Sequence, residues 1–284
     1  MKPILLIATL FFAFACAPES KEKTGGEIPG KFDSLHIDVI PIAKESGNSF
    51  IQLDSFPSRD SLLIFADIYE REDTKPTVLL CHQAGYSRGE YREIANRISS
   101  IGFSSIAIDQ RSGDEVNNII NKTAQLAKEK ELPTEYIDAK QDIEAAIDFL
   151  FKLNDSQSIV LVGSSYSASL VLLIGKNNDK VKAVAAFSPG EYIKGINIQD
   201  SIIGYNKPIF ITSSKTETEA SKTLISGIDT VWTNHFEPDF EGTHGSSALW
   251  KTTEGNEKYW AAFNAFLKGL KMSPSEIISS TKSM

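Results

Sequence analysis

Ser165 stands where a buried strand should turn into a helix, and its surroundings are those of a nucleophile. The apolar run Ile159–Val162 leads into Gly163-Ser164-Ser165-Tyr166-Ser167, and small and apolar residues with helical spacing follow. A serine at a sharp strand-to-helix turn presents its hydroxyl at the top of a sheet, and Gly-x-Ser-x-Gly is the pattern of such a nucleophile elbow. Here the last glycine is Ser167. By itself a serine in this place is also an ordinary helix N-cap. A serine hydroxyl is a weak nucleophile at neutral pH, so it needs an imidazole to take its proton and a carboxylate to orient that imidazole. In a strand-elbow-helix topology these partners follow the serine in the order acid, then histidine. Four histidines are present; His36 and His82 precede Ser165, leaving His235 and His244. His235 ends an apolar run, where a structural role is expected, whereas His244 lies in the glycine-flanked polar stretch Glu241–Leu249. His244 is therefore the expected base.

The acid is expected just past the strand Pro208–Thr212, whose end continues Ser213-Ser214-Lys215-Thr216-Glu217. Glu217 fits best; Glu219 and Glu191 remain as alternatives, and an acidic residue in a helical first turn is favoured by the dipole in any case. An acyl-transfer oxyanion also needs backbone N–H donors, one from the residue after the nucleophile and one from the loop after the third strand. The first is Tyr166. The second comes from Cys81-His82-Gln83-Ala84-Gly85, with the Ala84 amide expected and Gln83 next. Cys81 and His82 read there as a buried small hydrophobe and a strand-end hydrogen-bonding residue.

The elements needed to position these groups are legible as alternating periods. Ser49–Phe56 and Leu62–Tyr69 read as a strand pair, Thr77–Cys81 as a buried strand after a turn at Asp73–Pro76, and Ile106–Ile108, Ile159–Val162, Val181–Phe187, Ile209–Thr212 and Thr230–Trp232 as further strands. Helical spacing marks Gly89–Ser100, Tyr136–Phe151, Ser165–Ile174, Thr216–Ile225 and Tyr259–Leu270, the last with Trp260, Phe263, Phe266 and Leu267 on one side. Such alternation predicts an α/β fold with a mostly parallel sheet, helices on both faces and the site at the carboxyl ends of the strands. The polar insertion Asp114–Glu135 follows a strand end and should overhang that edge; Ile119, Ile120, Leu126 and Ala127 would give its Asn117–Lys130 part a helix facing the pocket, the alternative being a surface loop without substrate contact.

Taken in order, Leu80–Gly85, Ala107-Ile108-Asp109-Gln110-Arg111-Ser112-Gly113, Gly163–Ser167, Phe187-Ser188-Pro189-Gly190-Glu191, Glu217 and Gly242-Thr243-His244-Gly245 resemble the α/β-hydrolase superfamily and are similar to its dienelactone hydrolase-like branch. The resemblance spans residues 49–271. It implies an eight-stranded, mainly parallel sheet, a Ser165-Glu217-His244 triad and no cofactor. Dienelactone hydrolases proper use a cysteine nucleophile, so their substrate does not carry over to a chain with Ser165. Ser188–Tyr205, where many relatives insert a lid domain, is short, which argues against a separate cap. A small-molecule acyl substrate is expected, either a carboxylic ester or, with the same fold and triad, a peptide; a non-catalytic binding lipoprotein is the alternative from another class.

Charge and composition narrow the partners. The 284 residues are 41% hydrophobic and 23% charged, an ordinary globular composition, and a net charge of −8 argues against nucleic acid as a partner. Two cysteines, Cys16 and Cys81, allow no disulfide framework. Lys2, the apolar run Ile4–Ala15 and the small residues at Ala13 and Ala15 read as a cleavable export signal over residues 1–15. Ala13-Phe14-Ala15-Cys16 resembles a bacterial lipoprotein lipobox, although Leu is usual where Ala13 stands, and simple secretion would cleave at the same bond. Lipidation at Cys16 would anchor the chain in the bacterial cell envelope. Residues 16–48, with the polar stretch Ala17–Asp33, read as a tether and lead-in, and 272–284 as a polar tail; the sequence leaves the oligomeric state open.

Overall fold

The computed structural model describes residues 49–71 and 74–270. The export signal, Cys16, the tether and the C-terminal tail lie outside the described residues. Among the described residues ten strands and seven α-helices follow one another: β1 (Ser49–Pro57), β2 (Leu63–Arg71), β3 (Pro76–Cys81), α1 (Arg92–Ser100), β4 (Ser104–Ile108), β5 (Glu115–Val116), β6 (Ile119–Ile120), α2 (Lys122–Glu129), α3 (Ala139–Leu153), β7 (Ile159–Ser164), α4 (Tyr166–Lys176), β8 (Val181–Phe187), α5 (Ile198–Ile202), β9 (Ile209–Thr212), α6 (Thr218–Ile225), β10 (Thr233–Phe236) and α7 (Asn256–Gly269). Eight of the strands form one sheet in the order β1-β2-β4-β3-β7-β8-β9-β10. β1 and β2 pair antiparallel, as do β2 and β4; every later neighbour is parallel.

The central strands are buried on both faces, which is why they read as unbroken apolar runs. Successive residues of β7 serve opposite cores: Ile159 and Leu161 pack with α3, α4 and α6 on one face, and Val160 and Val162 with α1 and α7 on the other. Trp260, Phe263, Phe266 and Leu267 of α7 all point into the second core, as their spacing predicts. Between β8 and β9 the chain holds only the short α5, whose Ile198 and Ile202 pack into the first core, so the described residues contain no cap domain there.

Two local expectations are corrected. Thr230–Trp232 is a 3₁₀ turn and not a strand: Asp229 accepts the Val231 N–H, Val231 is 75% exposed, and the strand beside β9 is Thr233–Phe236 instead. The helix expected over Asn117–Lys130 is shorter, because Asn117 and Asn118 both take positive φ and close a two-residue hairpin between β5 and β6. The helix starts only after Asn121, whose side chain accepts the Ala124 N–H. Nor does its apolar side face the site. Ala127 joins the core beneath the sheet, and Thr123 exchanges hydrogen bonds with Leu63 and Phe65 of β2. The insertion therefore clasps the antiparallel side of the sheet.

Candidate active site

Ser165 follows β7 and precedes α4, with φ 58° and ψ −122°, a conformation that costs a non-glycine residue energy and that the surrounding structure must enforce. Three contacts enforce it. The Ser165 N–H donates to Phe187 O of β8 at 2.8 Å, its carbonyl receives Ala168 N–H at 2.9 Å, and α4 crosses so close to β7 that a Cβ on Gly163 would come within 2.5 Å of Ser167 O. Ser167, where the elbow pattern has glycine, fits because its hydroxyl is used: it donates to His82 O at 2.6 Å and accepts Gln110 Nε2 at 2.5 Å.

His244 Nε2 lies 2.8 Å from Ser165 Oγ, and its Nδ1 lies 2.5 Å from Glu217 Oε1. The Glu217 Oε2 atom accepts the hydroxyls of Ser188 and Ser214, each at 2.8 Å, and the Ser214 N–H at 3.1 Å. Burial opposes ionisation of Glu217, but the bonds from His244, Ser188 and Ser214 outweigh it and hold the carboxyl at about 2. In return Glu217 raises His244 above the ordinary imidazole value, against the opposing effect of burial. The three side chains thus form a continuous chain from an ionised carboxylate to a hydroxyl. Ser165 as a residue keeps 8% exposure.

The rival groups are used elsewhere. His235 lies in β10 near Glu237, Glu219 pairs with Lys222, and Glu191 accepts two amides at the start of α5. Cys81 is fully buried, and burial pushes its thiol up, away from the thiolate a nucleophile requires. His82 is likewise buried. Its Nδ1 hydrogen-bonds Gln83 O and its Nε2 accepts the Gln110 N–H, so it ties β3 to the end of β4.

Of the two expected oxyanion donors, Tyr166 directly follows the serine. Tyr166 opens α4, where a helix leaves its first N–H groups without internal acceptors. The alternative donor, Gln83, is occupied: its N–H is bonded to Glu90 Oε2 at 2.8 Å. Ala84 follows it on the loop. The rim is aromatic. Tyr136 stacks on Tyr166 with centroids 4.4 Å apart, Tyr192 stands edge-on to His244 at 6.4 Å, and both tyrosines are 37% exposed.

Four groups were not singled out from the sequence: Ser188, which joins Glu217 to the Gly245 N–H, and the buried set Glu90, Ser164 and Ser246. Ser188 leaves a trace, since a polar residue directly follows the apolar run Val181–Phe187 and precedes Pro189. Glu90 leaves none, because a glutamate near a helix start reads as a solvated first-turn acid.

Sheet order, elbow and the placement of Ser165, His244 and Glu217 at the carboxyl ends of parallel strands and their following loops define the α/β-hydrolase fold. Residues 65–238, more than half the chain, match the dienelactone hydrolase family, and the chain belongs to that family of hydrolases. Similar solved structures include the Pyrococcus furiosus esterase Pf2001, at a TM-score of 0.62 and 14% identity over 82% of this chain and 98% of that one. A putative dienelactone hydrolase of Klebsiella pneumoniae gives 0.59 and 15% over 78% and 98%. An acylaminoacyl peptidase of Pyrococcus horikoshii gives 0.58 and 14% over 78% of this chain but 42% of the peptidase. At these identities the likeness is one of fold. No curated protein matches the chain.

Proposed function

We propose that the protein is a cofactor-independent serine hydrolase of carboxylic esters or related acyl compounds, working through Ser165, His244 and Glu217. The observation that carries this reading is the unbroken hydrogen-bonded chain Ser165–His244–Glu217 beneath a strained elbow. Ser165 Oγ attacks the acyl carbon as His244 Nε2 takes its proton. The imidazolium so formed is stabilised by Glu217, and the developing oxyanion by the N–H groups of Tyr166 and Ala84. His244 then returns the proton to the departing alcohol, an acyl-Ser165 ester remains, and water activated by His244 releases the acid. Tyr136 and Tyr192 give the acyl or alcohol part apolar surface on either side.

Ser165→Ala and His244→Ala are expected to lower turnover of p-nitrophenyl acetate by about 10³-fold or more with the thermal midpoint retained, because such groups act as a unit. A fluorophosphonate probe should label the wild type stoichiometrically and Ser165→Ala not at all. Because Glu217 raises His244, the acid limb of kcat/KM should lie above the ordinary imidazole value of about 6.5. Wild-type turnover in Ser165→Ala would overturn the reading, and acyl-amide turnover exceeding that of esters would turn it to a peptidase.

For localisation we propose a lipid anchor at Cys16 in the bacterial cell envelope, supported by the apolar run that ends there and the polar stretch that follows. A radioactive fatty acid should label the wild type and not Cys16→Ser; a soluble, unlabelled wild type would indicate simple secretion.

A further inference from the structure

Glu90 lies in the short 3₁₀ turn Arg88–Tyr91 between β3 and α1, and it is fully buried. Its partners are two hydroxyls and a backbone N–H, and each comes from a different segment of the site. Oε2 accepts the N–H of Gln83, the residue before Ala84, at 2.8 Å. Oε1 accepts Ser164 Oγ, the residue before Ser165, at 2.8 Å, and Ser246 Oγ, two residues after His244, at 2.5 Å. The proton inventory makes these bonds directional. Ser164 Oγ already receives the Ser246 N–H at 2.8 Å, so its single proton goes to Glu90. The backbone of Glu90 adds a fourth tie, since its carbonyl accepts the Trp250 indole N–H at 2.9 Å. The space around this junction is filled: a Cβ on Gly245 would come within 2.5 Å of both Gln83 Oε1 and Ser164 Oγ.

We propose that Glu90 is a positioning residue for acyl transfer, whose buried carboxylate fixes the loops of Ala84, Ser165 and His244 to one another and adds negative charge behind the histidine. It touches neither substrate nor reacting atoms. Burial raises it to about 7 against the bonds from Ser246, Gln83 and Ser164, and the charge of His244 pulls in the other direction. Glu90 in turn supports the protonated form of His244, to a smaller extent than Glu217. The titratable groups facing this pair are Tyr91 on the turn of Glu90 itself, with Glu217 and Tyr192 beside His244; the hydrogen-bonded partners Gln83, Ser164, Ser165 and Ser246 are neutral. A carboxylate with three donors aimed at it cannot be replaced by an amide without turning one acceptor into a donor.

The inference rests on the serine-hydrolase reading, so Ser165→Ala is assayed alongside. Glu90→Gln is expected to lower kcat by about 10- to 100-fold, with KM within about twofold, as for a misplaced oxyanion loop and base. Its acid limb of kcat/KM should also move down by about 0.3 pH unit or more, because the lost negative charge had favoured imidazolium. Glu90→Asp keeps the charge but shortens the reach, so it should restore the limb while kcat stays low. Ser246→Ala, which leaves Glu90 in place and cuts one tie, should lower kcat several-fold and provides the test if Glu90→Gln does not fold. Unchanged kcat in Ser246→Ala, or a Glu90→Gln enzyme with wild-type kcat and an unmoved limb, would overturn the proposal. If Ser165→Ala itself retained turnover, the hydrolase reading would fail first, and the two failures are thereby distinct.

Discussion

Ser167 shows how a single residue departs from a motif without breaking it. Glycine is usual at that place because the helix passes close to the strand, yet here the side chain fills its space and bonds both His82 O and Gln110. Ser167 is fully buried, so removing its hydroxyl takes one of two acceptors from Gln110 Nε2, which keeps Tyr166, and one donor from the His82 carbonyl. Ser167→Gly, which restores the usual residue, should therefore lower unfolding free energy by about 1–3 kcal/mol, lost hydrogen bonds and helix propensity acting together. Denaturant titration checks this, and a neutral or stabilising outcome would mean that the bonds contribute nothing. Ser188 illustrates the opposite case, a residue whose own positive φ is sustained because its hydroxyl links Glu217 to the Gly245 N–H.

At the scale of elements, the end of β4 organises the site although it carries none of its reacting groups. Arg111 is buried and forms ion pairs with Asp142 of α3 and with Asp60 in the β1–β2 turn, both at 2.7 Å. Its own N–H also donates to Asp142 Oδ2. One residue earlier, Gln110 reaches the Tyr166 hydroxyl and Ser167. Two residues earlier, Asp109 accepts Arg88 and the first N–H of α2. The strand end thus bolts α2, α3 and α4 to the sheet. Removing one partner of a buried pair leaves an uncompensated charge, so Arg111→Met should cost about 3–5 kcal/mol. Arg111→Met with Asp142→Leu should recover part of that loss, because the fully buried carboxylate goes with its partner, while Asp60, whose side chain is 29% exposed, is left to solvent. Thermal unfolding of the single and double variants separates the two outcomes; equal losses would contradict it.

For the whole molecule, acid stability follows from groups that folding holds away from their ordinary protonation. Burial lowers His82 to about 4, so above pH 6.5 folded and unfolded states are both neutral and its contribution is fully present. As pH falls from 6.5 towards 4, the unfolded chain takes up the proton first and stability is lost, by about 3 kcal/mol at the end of that window. Burial raises Asp109 to about 6 and Glu90 to about 7, so these carboxyls act in the opposite sense and stabilise the fold as pH drops through those values. The wild-type profile sums both. Comparing urea unfolding of wild type and His82→Gln at pH 7 and pH 4.5 isolates the histidine: the variant should lose less on acidification, and parallel losses would contradict it. Among the described residues no helix is long and apolar enough to cross a membrane.

The sequence by itself determined what depends on neighbours along the chain. Apolar runs marked the strands buried on both faces, the small residues around Ser165 marked the elbow, and the order of serine, acid and histidine nominated Glu217 and His244. Where nearby residues competed, local pattern misled: Val231 looked like strand, but Asp229 turns the chain and pairing with β9 selects Thr233–Phe236. Ile119 and Ile120 looked helical, yet Asn117 and Asn118 close a hairpin there. Only the tertiary structure decided the rest, because it depends on residues remote in sequence. Gln83 cannot serve as oxyanion donor because its N–H is taken by Glu90, and Glu90 is partnered by Ser164 and Ser246, 74 and 156 residues away. A buried carboxylate and a solvated one are the same letter in a sequence; what separates them is the set of donors that folding gathers around one and withholds from the other.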